Sequence, residues 1–358
     1  MIAKLRFLVL DGDGIGPEIT AAALTVLAAA AQRFGLDYEL DHQLIGFRSL
    51  EKLGTTMPDA IVAAARKADG VILGPVSHLD YPSAAQGGIN PSGTLRKALD
   101  LFANMRPAKT RPGVPSRLND SFDLLIAREN TEGFYADRNM FAGGGEFLAT
   151  PDVALAVRKI TREGSRRIAE AGFVAARQRR RKVTAVHKGN VLRLSDGLFL
   201  EETRAAAARY PDIAYDEKIV DAVAALLVRD PTQFDVIVTT NMFGDILSDE
   251  ASELAGGLGL GASLNAGEQF AMAQAQHGSA PDIAGQDRAN PVSLIGSLAM
   301  LMRWAGARHG LNTWEAAADR IDAVTDELLG NSATRTADLG GPLGTRAFAT
   351  TMAAAIVG

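Results

Sequence analysis

Residues 235–250 read Asp-Val-Ile-Val-Thr-Thr-Asn-Met-Phe-Gly-Asp-Ile-Leu-Ser-Asp-Glu, and their pattern decides the fold class. Val236, Ile237 and Val238 are a β-branched run of the kind buried on both faces of a parallel sheet. A turn is expected over 241–244, after which a helical pattern opens at Asp245. A short buried strand running into a helix is the repeating unit of an α/β fold. Asp245 and Asp249 stand four apart, so both carboxylates lie on one helix face, one turn from each other. Two bare carboxylates at this spacing repel unless a cation lies between them, and hard oxygen donors suit Mg²⁺ or Mn²⁺. The pair also fits a solvated acidic helix start, because Asp is favoured near a helix N-terminus.

The pattern repeats outward from this stretch. Residues 7–10, 70–73, 124–127, 182–186 and 236–240 read as strands. Residues 18–34, 153–171, 198–210 and 219–228 read as helices. The alternation argues α/β with a mainly parallel core sheet. Residues 106–115 hold three prolines and are expected to be an irregular crossing. A second break falls at Gly256, Gly257, Gly259 and Gly261. The two breaks enclose a middle block, expected to be a smaller domain (102–255) inserted into a larger one (1–101 and 256–358), with the active site between them.

Bulk composition narrows the function classes. The 358 residues are 47% hydrophobic and 22% charged, with a net charge of −5, ordinary values for a globular protein. That charge gives no reason to expect nucleic acid or an anionic membrane as partner. The absence of cysteine excludes disulfides, thiolate metal sites and Cys nucleophiles. The N-terminal apolar run is broken too early for a signal peptide, and no window is long and apolar enough to span a membrane. A cytoplasmic protein is expected. Arg177, Arg179, Arg180, Arg181 and Lys182 form a basic run, read as a solvated helix end where cations suit the dipole. Trp304 and Trp314 lie in helical patterns and read as core or interface residues.

After the first strand comes Gly12-Asp13-Gly14-Ile15-Gly16-Pro17-Glu18. A Rossmann fingerprint needs G-x-G-x-x-G, and Pro17 holds its sixth position. The acidic residues would also repel a pyrophosphate. The loop reads instead as a tight strand-to-helix turn, with Pro17 in the first helical turn.

Six segments together carry a resemblance. They are this loop; Asp100-Leu101-Phe102-Ala103-Asn104-Met105-Arg106-Pro107; Arg128-Glu129-Asn130-Thr131-Glu132-Gly133; His187-Lys188-Gly189-Asn190; the aspartate helix; and His277-Gly278-Ser279-Ala280-Pro281-Asp282-Ile283-Ala284-Gly285. In this order they resemble the β-decarboxylating dehydrogenases of the isocitrate/isopropylmalate dehydrogenase family, over nearly the whole chain. The resemblance implies a fold that is not Rossmann: two domains around a mainly parallel sheet, the smaller central one forming a homodimer. It implies oxidation of a 2-hydroxy diacid by NAD, followed by loss of the carboxylate β to the new ketone. A divalent cation, Mg²⁺ or Mn²⁺, does the Lewis-acid work.

Residue roles follow by the same resemblance. Asp245 and Asp249 match the family's metal ligands, and Asp221 the ligand supplied from the partner subunit. Arg96, Arg106 and Arg128 match the arginines that clamp the diacid, work suited to a bidentate guanidinium. Tyr135 and Lys188 match the proton-transfer pair, Lys188 acting across the interface. His277, Gly278, Ser279, Ala280, Asp282, Ile283 and Asn290 match the cofactor segment. An Asp at the position of Asp282 favours NAD, since it would repel the 2′-phosphate of NADP.

Substrate choice is read from the residues before Arg96, where Ser92 and Gly93 replace the leucine pair common in isopropylmalate enzymes. Ser92 is therefore a candidate substrate contact. The reading closest to the motifs is a 3-isopropylmalate dehydrogenase. Isocitrate, homoisocitrate and D-malate or tartrate dehydrogenases are the alternatives. A non-catalytic regulatory subunit is the alternative of another class, and the presence of Tyr135, Lys188, Asp221, Asp245 and Asp249 together argues against it.

Overall fold

A computed structural model describes residues 4–118, 121–135, 140–141 and 144–358. It is mixed α/β and falls into two compact units, one of residues 1–99, 111–116 and 256–358, the other of 100–110 and 117–255.

In the first unit, Tyr38–Gln43, Leu5–Leu10, Gly70–Leu73 and Ala271–Gln274 run parallel in that order, and Leu264–Ala266 joins antiparallel. The core includes Phe7 and Val9 from the strands, Ile19, Val26 and Leu27 from the helix Gly16–Phe34, and Leu298 and Met302 from Val292–His309. Trp314, on the helix Asn312–Gly330, is fully buried with its ring 5.6 Å from that of Phe7. Trp304 is only partly buried.

In the second unit, Ala103–Lys109 lies antiparallel to Asp123–Glu129. Val236–Thr239, Lys182–His187 and Ala214–Ile219 then follow in parallel. Strand alternation explains why both faces are apolar. Leu125, Ala127, Val236 and Val238 face the helices Arg162–Arg177 and Ser195–Arg209. Leu124, Ile126 and Ile237 face Val220–Arg229 and Asn241–Ala255. Glu146–Thr150 and Val153–Ala156 pair as a separate exposed antiparallel hairpin.

Four sequence expectations need correction. The aspartate helix opens at Asn241, not at Asp245. The Gly244 amide already bonds the Thr240 carbonyl at 2.9 Å. Glycine suits that first turn because a Cβ there would come within 2.6 Å of the Arg128 side chain. The helix expected over 153–171 is a strand, Val153–Ala156, followed by a helix that starts at Arg162. Thr161 caps it, its Oγ1 accepting from the Gly164 amide at 3.0 Å. The crossing expected over 106–115 is regular as far as Lys109, with Arg106 and Pro107 in register opposite Ile126 and Leu125. The basic run is more than a solvated end: Arg179 bonds Asp123 at 2.7 Å and the buried Asp235 at 2.9 Å.

The remaining strand and helix boundaries agree to within a few residues, and Gly70–Leu73 is unchanged. No helix among the described residues is long and apolar enough to cross a membrane.

Candidate active site

The second unit gathers five of the expected residues. Arg128, only 1% exposed, sits at their centre. Its Nη2 donates to the Tyr135 hydroxyl at 2.8 Å, and its Nη1 donates to Asp245. Asn241 fixes the other edge of the guanidinium: Oδ1 accepts from Nε at 3.0 Å and Nη2 at 2.7 Å, and the Asn241 carbonyl accepts from Nε at 2.9 Å. The Tyr135 hydroxyl in turn donates to Asp245 Oδ2 at 2.8 Å.

Arg106 reaches the same helix from its strand. Its Nη1 donates to Ser248 Oγ at 2.8 Å, Asp245 Oδ1 at 3.1 Å and Asp249 Oδ1 at 3.3 Å, while Asn104 holds Nε at 2.8 Å. Burial, and after it the neighbouring Arg128 charge, pulls the Arg106 pKa down to about 10. The helix spacing thus puts two carboxylates and a hydroxyl on one face, met by two buried guanidiniums.

Lys188 and Asp221 pair with each other, Nζ to Oδ1 at 2.6 Å. That hydrogen bond holds the Asp221 carboxyl below the usual carboxylate range. Among the described residues, no three His, Cys, Asp or Glu side chains gather to hold a metal ion. The donor chemistry at Asp245 and Asp249 suits a hard divalent cation, and among the described residues this pair has no third carboxylate gathered beside it.

The first unit holds the other expected residues. Asn90 caps the helix Pro91–Ala98, accepting from the Gly93 amide at 3.1 Å. On that helix Ser92 Oγ and Arg96 Nη2 both donate to Gln274 Oε1, each at 3.0 Å.

The segment from His277 runs beside the N-terminal glycine loop. The Ile15 amide donates to the Ser279 carbonyl at 2.8 Å, and Ser279 Oγ meets Ser77 Oγ at 2.7 Å. A Cβ on Gly14, at φ +55°, would lie 2.0 Å from that carbonyl, so close approach as well as the turn demands glycine there. His277 Nδ1 lies 2.9 Å from the Gly278 carbonyl, and Nε2 is enclosed without a hydrogen-bond partner among the described residues. Burial lowers the His277 pKa.

Space is open where a Cβ on Gly278 would point. Ala280 is left-handed at φ +38°, and Asp282 and Ile283 follow in a short 3₁₀ turn with Asp282 exposed. Asn290 Nδ2 donates to Asp338 at 2.9 Å. An orphaned ring nitrogen, an open glycine and an exposed carboxylate fit a dinucleotide's ribose and base.

Asn104, Asn241, Ser248 and Gln274 are contributors that the sequence reading missed. Ser248 had a signal, three residues after Asp245 on the same face. Asn104 is two residues before Arg106 on one strand face. Asn241 was read as a turn residue, and Gln274 has no local signal.

Two buried guanidiniums, two carboxylates and a phenol in mutual contact are a cluster of ionisable groups of the kind that marks a functional site. The particular kind follows from likeness to known proteins. Residues 6–356 match the isocitrate/isopropylmalate dehydrogenase family. The chain is 40% identical to the 3-isopropylmalate dehydrogenase of Archaeoglobus fulgidus, covering 97% of this chain and 98% of that one. It is 38% identical to the homoisocitrate dehydrogenase of Methanocaldococcus jannaschii, covering 96% and 95%. The crystal structure of isocitrate dehydrogenase from Methylococcus capsulatus superposes with a TM-score of 0.88 at 39% identity, covering 99% of this chain and all of that one. The chain belongs to the isocitrate/isopropylmalate dehydrogenase family.

Proposed function

We propose that this protein catalyses the NAD- and divalent-metal-dependent oxidative decarboxylation of a 3-substituted malate, closest to 3-isopropylmalate, yielding a 2-oxo acid, CO₂ and NADH. The observation that carries the reading is the convergence of Arg106, Arg128 and Tyr135 on Asp245, with Asp249 one turn on. Relatives named for isopropylmalate and homoisocitrate share the reaction class.

When bound, NAD would supply a hydride acceptor and a divalent cation would supply Lewis acidity at the substrate oxygen. Asp245 and Asp249 would hold that cation, with Asp221 of a second copy completing the set. The chain's own side chains do the rest. Arg96, Arg106 and Arg128 bind and orient the two carboxylates, because a planar fork fixes direction as well as charge. Lys188 of the partner subunit takes the hydroxyl proton. Tyr135, held by Arg128 and Asp245, delivers a proton to the enol carbon after CO₂ leaves. His277, Gly278, Ser279, Ala280, Ile283 and Asn290 would hold the cofactor, and Asp282 would accept from its adenosine ribose hydroxyls.

The dimer reading has its own support. Phe147, Leu148, Val153 and Leu155 are exposed on the hairpin, and Val191 and Leu194 are exposed after Lys188. A lone two-stranded hairpin is marginal in water, so a second copy covering it would stabilise both. The Lys188–Asp221 pair would then be delivered to the partner's Asp245 and Asp249.

Ser92 and Gly93 make the substrate's 3-substituent pocket roomier and wetter than a leucine pair would. Steady-state NADH formation over a panel of 3-substituted malates tests the whole reading. Turnover of several is expected, with 3-isopropylmalate accepted. A preference for the isopropyl compound above roughly a hundredfold over every polar analogue would refute the Ser92 assignment. No turnover of any would refute the reaction.

A further inference from the structure

Arg158 is 8% exposed at its side chain and pairs at 2.5 Å with Asp196, which is fully buried. Neither residue carries a role in the chemistry above. Arg158 Nη1 also donates to Ser195 Oγ at 2.8 Å, and Nη2 donates to Thr240 Oγ1 at 3.1 Å. Its guanidinium lies 5.7 Å from the Phe134 ring and 5.4 Å from the Phe243 ring. Asp196 spends its second oxygen on the backbone amide of Lys188.

One ion pair therefore touches three separate segments. Phe134 precedes Tyr135; the Lys188 amide belongs to the proposed proton acceptor; Thr240 immediately precedes the aspartate helix and Phe243 lies in its first turn. A buried charge pair is weak evidence for stability, because desolvation offsets much of its attraction. Burying one where three functional segments meet calls for another reason. We infer that the Arg158–Asp196 pair is a positioning device that fixes the backbones carrying Tyr135, Lys188 and Asp245 in one arrangement. The inference rests on the dehydrogenase reading. Under that reading Tyr135 and Lys188 of one chain serve different sites of the dimer, so each pair would set the geometry of both.

The mechanism is distance. Tyr135 must meet a carbon and Lys188 a hydroxyl proton within hydrogen-bond reach. A misplacement of about 1 Å costs on the order of a hundredfold in rate. The planar fork matters as well as the charge: Arg158 uses two nitrogens on three oxygens and lies within cation–π range of two aromatic rings, which a lysine cannot copy.

The test compares the full-length protein with Asp196→Asn, Arg158→Lys and the apolar pair Arg158→Met with Asp196→Leu. The last leaves no stranded charge, so it keeps the fold testable if the single variants unfold. Each is expected to lose tenfold or more in kcat, with KM for the diacid and for NAD within about threefold of wild type. Asp196→Asn added to Lys188→Ala should lower the residual kcat by clearly less than the product of the two single losses, because part of the Asp196 effect acts through Lys188. Amide hydrogen exchange at Lys188 and at residues 134–135 should accelerate.

Wild-type kcat in the folded apolar pair would overturn the inference, as would full additivity with Lys188→Ala. So would failure of the apolar pair to fold, which would make the pair structural. If the wild-type chain forms no NADH, the reaction reading fails by itself. Exchange then decides the positioning role: unchanged protection in the variants overturns it, and lost protection at both segments supports it.

Discussion

Replacing Asn241 with Ala tests how Arg128 is held. Asn241 is fully buried; its Oδ1 accepts from two Arg128 nitrogens, and its Nδ2 donates to the Glu132 carbonyl at 3.0 Å. Two of these losses are partly offset. Arg128 Nε keeps the residue-241 backbone carbonyl at 2.9 Å, and Nη2 keeps Tyr135 at 2.8 Å. The guanidinium term therefore sits at the low end for a charged hydrogen bond, about 1.5 kcal/mol. The Glu132 carbonyl is left without its side-chain donor, which costs about 1–3 kcal/mol more. The sum, about 2.5–4.5 kcal/mol, lowers the unfolding midpoint by on the order of 10 °C for a unit of this size. Scanning calorimetry of the purified protein reads it directly. The same lesion frees Arg128 to swing, so KM for the diacid should rise more than kcat falls. A loss below about 1 kcal/mol with unchanged KM would mean that Asn241 does not position Arg128.

Other outcomes follow from the same geometry. Lys188→Ala and Asp245→Asn variants, each with most activity lost, should recover activity when mixed under subunit exchange, because a heterodimer holds one site with neither lesion; no recovery despite proven exchange would mean each chain builds its own site. Asp282→Lys with Ile283→Tyr should move kcat/KM toward NADP, and a wild-type protein that uses NADP equally well would contradict the role given to Asp282. Burial holds the His277 pKa below its ordinary value of about 6.5, so the unfolded chain takes up the proton first and stability falls as pH drops below that point. His277→Gln should flatten the decline of Tm between about pH 6.5 and 5; an unchanged slope would contradict it. His187, also lowered by burial, leaves a residual slope.

Much of the α/β order was legible because period and composition act locally. Val236, Ile237 and Val238 put apolar side chains on both faces and had to form a buried strand wherever they packed. The hairpin at Val153–Ala156 was not legible, because a short apolar run is ambiguous until its pairing partner is known. Arg106 and Pro107 were misread for a related reason: proline signals irregularity locally, yet the ladder to Asp123–Glu129 carries the strand through.

In the site, the spacing of Asp245 and Asp249 announced one helix face. Nothing local announced that Arg106 and Arg128, on antiparallel neighbours, would both reach it. Resemblance supplied those two, and it was silent on Asn241 and Gln274, whose value lies in oxygens that orient an arginine. The Arg158–Asp196 pair was equally invisible, since its meaning is a junction of segments far apart in sequence.

The most direct test of the central claim is product stoichiometry. The purified chain is given NAD, Mn²⁺ and a 3-substituted malate that it turns over, and NADH and CO₂ are measured together. The account predicts that both appear in equal amounts, that both stop in excess chelator, and that Asp245→Asn loses most of each. NADH without CO₂, or full activity under chelation, would contradict the assignment of an oxidative decarboxylation to this metal-binding pair.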